Sequence, residues 1–245
     1  SSAASDVYKR QYTNNDICDF VNGSWSPANP MSNIWTSSYK AIQICNQYLA
    51  EFQGLTFDEL KLNDDYRAQM FRYTNSFKEA RFLRAYFYFN LVRAYGDVPY
   101  FTEMVTTDQV NSLTRTPAQE IFNAIIAECD KLSTELPADY TKLGLDGIAP
   151  AENGRVTCYA ALALKARAAL YAASPLFNPE NNKDLWRRAA EANKEVIETC
   201  TANGFKLSKY SELWGPNNWS NNEMIFVRRY NGNISTCLLY TSDAA

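Results

Sequence analysis

The chain has 245 residues, long enough to bury a full core, and its 24 Lys and Arg against 27 Asp and Glu leave a net charge of −3, the wrong sign for a nucleic-acid binder built on a basic stripe. It contains no histidine, which removes the commonest general base, the commonest zinc ligand and every Ser-His-Asp or Cys-His mechanism from this segment. Nine Gly and nine Pro spread among long Ala, Leu, Glu, Lys and Arg stretches favour helix over sheet.

Ser1 to Gln11 and Cys237 to Ala245 carry neither periodicity nor a cap, and both resemble translated sequencing-library adapter. A natural frayed terminus is the alternative. Setting both aside leaves residues 12–236 as one domain, expected to be a fragment open at both ends. Asp16 to Met31 reads as an Asn-, Pro- and Ser-rich loop. Ser32 or Asn33 can cap a helix from Ile34 to Phe52, with Trp35, Tyr39, Ile42, Cys45/Asn46 and Leu49 on its apolar stripe. From Asp64 to Tyr95 the pattern is again helical, either continuous or broken near Thr74–Ser76.

The end of that run, Glu79 to Phe101 (EARFLRAYFYFNLVRAYGDVPYF), is apolar on two sides. Ala80, Leu83, Phe87, Leu91 and Ala94 make one stripe; Phe82, Tyr86, Phe89 and Arg93 make a second beside it. A helix of this kind packs between neighbours. Gly96 suits a left-handed exit and Pro99 stops continuation. Val98–Phe101 reads as a short strand. Thr116 is placed to cap a helix with Pro117 at its first position, carrying Ile121, Ile125, Cys129 and Leu132 on one face and ending before Pro137. After a Gly-containing link, Thr157 to Ser174 is an alanine-rich helix closed by Pro175 and Pro179. Lys183 to Asn203 follows, ended by Gly204, with Trp186, Ala189/Ala190, Asn193, Val196 and Ile197 read as its core stripe. Both Trp35 and Trp186 are assigned to core. Glu223 to Tyr230 (EMIFVRRY) reads as a strand. Helices beginning near Ile34, Ser76, Thr116 and Thr157 are spaced about forty residues apart, within the range of helical-repeat arrays.

Glu79–Phe101 resembles the signature helix of the SusD/RagB family, and Gly154–Asn178 (GRVTCYAALALKARAALYAASPLFN) resembles that family's later alanine-rich helix with its Ser-Pro-Leu-Phe-Asn exit. The two matches occur in the family's order. The resemblance implies a mainly α fold of tetratricopeptide-like antiparallel helical pairs with few short strands, cut before the C-terminal half. It further implies a cell-surface glycan- or nutrient-binding lipoprotein of the outer membrane, serving a SusC-like TonB-dependent transporter. Its lipid-anchor cysteine would lie upstream of this sequence.

No chemistry competes with that reading. Six cysteines (Cys18, Cys45, Cys129, Cys158, Cys200, Cys237) form no CxxC pair, so no metal or redox motif is indicated. Cys129, Cys158 and Cys200 read as small buried residues, and a Cys18–Cys45 disulfide stays open. Phosphate loops and EF-hands are absent, and Glu79 with Arg81 and Arg84 is expected to make surface or inter-helix ion pairs. No catalytic residue, metal site or cofactor is expected.

What remains is binding. A sugar ring presents C–H faces to an aromatic ring, while Asn, Asp and Arg bond its hydroxyls. Asn22-Gly-Ser-Trp25-Ser-Pro-Ala-Asn29 and Trp214-Gly-Pro-Asn-Asn-Trp219 carry that mixture. The ligand candidates are therefore Trp25, Asn22, Asn29, Trp214 and Trp219, each indole either folding back on the core or standing free to stack. A protein-only helical-repeat scaffold without a small-molecule site is the alternative function.

Overall fold

A computed structural model describes residue 26 and residues 34–145, 154–213 and 221–227. Six α-helices run through them: α1 (Ile34–Glu51), α2 (Tyr66–Tyr95), α3 (Thr107–Ser112), α4 (Ala118–Glu135), α5 (Cys158–Ala173) and α6 (Lys183–Ala202). The described residues contain no strand. Val98–Phe101, expected to be one, contributes only an antiparallel bridge between Val98 and Thr116. Glu223–Val227 forms a turn and bend instead of the expected strand, and Arg228–Tyr230 lie outside the described residues.

The long helices pack in chain order, α1 on α2, α2 on α4, α4 on α5 and α5 on α6. Side-chain contacts make each pair antiparallel. Trp35 meets Tyr95 while Tyr48 meets Phe77. Arg81 reaches Glu128 and Glu135, whereas Asp97 meets the start of α4. Gln119 reaches Ala172, and Lys165 reaches Glu195. As the two-sided pattern requires, α2 lies between α1 and α4 and buries Phe82, Ala85, Tyr88, Phe89, Leu91 and Val92. Leu83 and Phe87 are partly buried and Ala94 is exposed.

The helix runs unbroken through Thr74–Ser76, where Thr74 and Ser76 return their hydroxyls to the carbonyls of Met70 and Tyr73, at 2.9 and 2.6 Å. It is the continuous alternative, starting at Tyr66, and no helix begins near Ser76. On α4 all four stripe residues are buried. On α6 the inward face is Ala189, Ala192 and Cys200. Trp186 is 37% exposed and Ile197 65% exposed, so the expected core stripe is partly the outward one. Only α5 packs broadly on α6, and it does so against small residues. Cys45, Cys129 and Cys200 are buried free thiols, and Cys158 is half-buried; Cys18 and Cys237 lie outside the described residues.

Both family-like exit bends converge on the N-terminal end of α4. Gly96 has φ +70°, the left-handed region open to glycine. Asp97 then accepts the Ala118 N–H at 2.8 Å, so Asp97 caps α4 and Thr116, the expected cap, spends its N–H on Val98. From the other side Gln119 Nε2 donates to the carbonyls of Ala172 and Phe177, both at 2.7 Å. The following loop is drawn back along α1 and α2: Tyr39 and Tyr88 donate to the carbonyls of Pro99 and Phe101, and Arg84 donates to Asn46 and the Thr102 carbonyl.

Burial raises the phenols of Tyr39, Tyr88 and Tyr140 above their ordinary 10.0 and pushes the Cys129 thiol from 9.0 up to about 12. An acid whose folded pKa is raised contributes fully below its unfolded pKa; that contribution is lost as pH climbs toward the folded value. Urea midpoints followed by circular dichroism should therefore hold steady up to pH about 9 and fall steeply between about 9 and 12. A flat profile across that window would contradict the burial of these groups.

Candidate functional site

Trp25, Asn22, Asn29, Trp214 and Trp219 all lie outside the described residues. What the structure describes is the pair of segments that flank residues 214–220 in the sequence. Residues 205–213 and 221–227 are clamped together. Lys206 N–H donates to Asn222 O at 3.3 Å, Ser208 Oγ to Asn221 Oδ1 at 2.6 Å, and Ser208 N–H to Glu223 Oε2 at 2.9 Å. Tyr210, 76% exposed, opens a short 3₁₀ turn just before residue 214.

This clamped stem lies across α2 and α5. Phe205 packs on Tyr159 of α5 at 4.9 Å, Phe226 meets Phe82 of α2 edge-on at 5.6 Å, and Ile225 packs against the core. Since α2 and α5 are both antiparallel to α4, they run parallel and share one face. The middle of α2 is joined to the start of α5 by a polar cluster. Glu79 Oε1 accepts from Arg155 Nε at 2.9 Å and from Asn75 Nδ2 at 2.6 Å, while Tyr140 accepts from Asn75 and donates to Val156 O. Glu79 thus pairs with Arg155, not with Arg81 or Arg84. Arg81 turns to Glu128 and Glu135 on α4, where the acids stand within 2.7 Å.

Seven residues beyond Phe82, about 10 Å along the helix, Phe89 occupies the same stripe of α2. Tyr171 of α5 meets it edge-on at 5.3 Å. The guanidiniums of Arg93 and Arg167 stand 5.7 and 5.3 Å from its ring centroid. Arg93 is half-buried and donates to Asn90 Oδ1 at 3.2 Å; Arg167 is exposed. One face thus carries the clamped segments 205–213 and 221–227 together with a row of half-exposed aromatic, amide and guanidinium groups, the mixture that grips hydroxylated rings. Arg93 was legible as part of a stripe. Arg167 and Tyr171 were hidden in a run read only for its alanines, although a charged residue between small ones (Lys-Ala-Arg-Ala-Ala) signals an edge that meets solvent.

A concavity of about 300 Å³ opens elsewhere, between α4, α5 and α6 over Ala169 and Ala192. Its walls are charged and hold no aromatic ring. Lys165 is bound by Asp130 at 2.6 Å and Glu195 at 2.7 Å, and Arg188 by Asn123 at 2.6 Å. Burial would lower the Lys165 pKa, but its two carboxylate partners outweigh that and raise it, so this cleft serves as a charged fastening of three helices. Among the described residues no group of three His, Cys, Asp or Glu could hold a metal ion.

Residues 1–170 match a SusD-like family model described as starch-binding and associating with the outer membrane. The SusD-like protein P2 of Formosa agariphila is 26% identical over 210 residues, covering 84% of this chain and 35% of that protein. A crystallised SusD-like carbohydrate-binding protein of Bacteroides fragilis superposes with a TM-score of 0.61 at 28% identity, covering 82% of this chain and 33% of its own. A laminarin-binding SusD-like protein shares the fold with a TM-score of 0.61 at 24% identity, covering 92% and 41%. The chain spans roughly a third of the length of these relatives. Two sandwiched helices with matching exit bends, held together by Glu79–Arg155 and Phe89–Tyr171 and matched by a family model over residues 1–170, place this chain in the SusD/RagB family.

Proposed function

We propose that this chain is the helical scaffold portion of a cell-surface protein that captures glycan without breaking bonds. The observation that carries the reading is the shared α2/α5 face, where a clamped stem and a row of Tyr, Asn and Arg side chains stand on rigid helices. Rigid support lowers the ordering cost of binding a hydroxylated ligand. The loops bearing Asn22, Trp25 and Asn29, and Trp214 and Trp219, supply stacking indoles and amides. The carbohydrate-binding and laminarin-binding relatives support the ligand class. The partner is a SusC-like TonB-dependent transporter, which receives the ligand. Among the described residues no helix is long and apolar enough to cross a membrane; outer-membrane attachment is by a lipid anchor upstream of this sequence.

A second reading, a protein-only scaffold, draws on the outward stripe of α6, where Trp186, Ala190 and Ile197 are exposed. The two separate in one experiment. In the intact parent, a panel of oligosaccharides should include a saturable binder by calorimetry. Trp25→Ala, Trp214→Ala or Trp219→Ala should weaken it by about tenfold or more, the scale of an aromatic anchor. A panel with no binder would remove the glycan reading and leave the scaffold.

A further inference from the structure

We infer that Arg93 and Arg167 form a charge-selective subsite for the carboxylate or sulfate group of an acidic oligosaccharide. The inference rests on the glycan-binding reading and narrows it to a ligand class. Four observations carry it. The two guanidiniums come from different helices, yet both are held against the buried ring of Phe89, at 5.7 and 5.3 Å. That contact fixes their positions and leaves their N–H edges available. Neither has a carboxylate within salt-bridge distance among the described residues, whereas Arg81 on the same helix takes two and Arg155 takes Glu79. In a chain with more acids than bases, such a pair of unneutralised guanidiniums attracts an anion from outside.

The flanking groups suit a sugar. Tyr171 is half-buried beside Phe89, and its hydroxyl has no protein partner among the described residues; Asn90 orients Arg93 through its Oδ1 and keeps its amide N–H₂ for a ligand. Finally, the clamped segments that flank residues 214–220 in the sequence cross this same face at Phe82, about two helical turns away. An oligosaccharide long enough to span that interval places an acidic ring at the arginines. Guanidinium forks match the two oxygens of a carboxylate, or two of a sulfate, with paired charge-assisted hydrogen bonds.

The test is calorimetric titration of the 245-residue chain with three probes: an oligogalacturonate, a sulfated galacto-oligosaccharide and a neutral gluco-oligosaccharide. At least one acidic probe should bind about tenfold or more tightly than the neutral one, and which of the two does so identifies the anion. Arg93→Gln and Arg167→Gln should each erase most of that preference, bringing the acidic probe down to the affinity the same variant shows for the neutral one, with the helical circular dichroism unchanged. Arg→Lys at either position should restore only part, because the bidentate fork is lost. Binding of acidic and neutral probes with equal affinity, or indifference of the acidic preference to both Gln variants, overturns the subsite and leaves the glycan reading intact. Failure of all three probes, on chain shown by circular dichroism to be helical, overturns the subsite, and the glycan reading then rests on the wider panel with the intact parent.

Discussion

Glu79→Ala is expected to destabilise the chain by about 2–4 kcal/mol, somewhat under the roughly 3–5 kcal/mol for breaking a fully buried ion pair. Its carboxylate is the acceptor for Arg155 and Asn75, and it lies 3.4 Å from the Tyr140 hydroxyl. Removal takes the Glu79 ion pair from Arg155, whose side chain is 29% exposed, so water recovers some of the loss, and that moderates the figure. Asn75 is only 1% exposed, and its Oδ1 already has no hydrogen-bond partner among the described residues. Taking away an Nδ2 acceptor would leave it poorly satisfied on both ends, the costly case for a buried amide. Glu79→Gln keeps the shape and one acceptor, and should cost about half as much. Urea denaturation with an unchanged m-value is the measurement. An alanine midpoint matching wild type would show that the cluster contributes nothing to holding α2 against the start of α5.

The second large effect is at Phe122. It is fully buried on α4 and meets Phe177 of the Ser-Pro-Leu-Phe-Asn bend edge-on at 5.1 Å. Phe122→Ala should cost about 3–5 kcal/mol through lost burial and the cavity left behind, and Phe122→Leu about half of that. The cavity opens beneath the bend that Gln119 also holds. Amide exchange at Asn178, whose N–H bonds Ser174 O at 2.9 Å, should therefore accelerate more than exchange in the middle of α2. Uniform acceleration along the chain would mean that the bend unfolds only with the whole array.

Much of the scaffold was legible in the residues. The helix bounds at Ile34, Lys183 and Gly204 follow from periodicity and punctuation, which act over a single turn. The α4 stripe worked because Ile121, Ile125, Cys129 and Leu132 lie on one side of a helix with neighbours on both flanks. The α6 stripe misled for the opposite reason. With broad packing on α5 alone, the small residues Ala189 and Ala192 face the array, and the larger Trp186 and Ile197 are left outside. Trp186 even finds a polar partner there, donating Nε1–H to Asn181 Oδ1 at 3.1 Å. Hydrophobicity alone ranks the indole above alanine for burial, but close helix approach rewards the smaller side chain.

Read by itself, the amino-acid order determined that this protein is a layered helical body of the SusD/RagB kind, because apolar spacing and the two bend sequences are properties of contiguous residues. Which groups meet was decided by tertiary structure. Asp97 caps a helix that begins 21 residues later, Glu79 finds its arginine 76 residues away, and Arg93 and Arg167 share one phenyl ring. Periodicity states that a face must be covered and carries no information about what covers it. Partners distant along the chain become neighbours only once the packing of whole helices sets their order and direction.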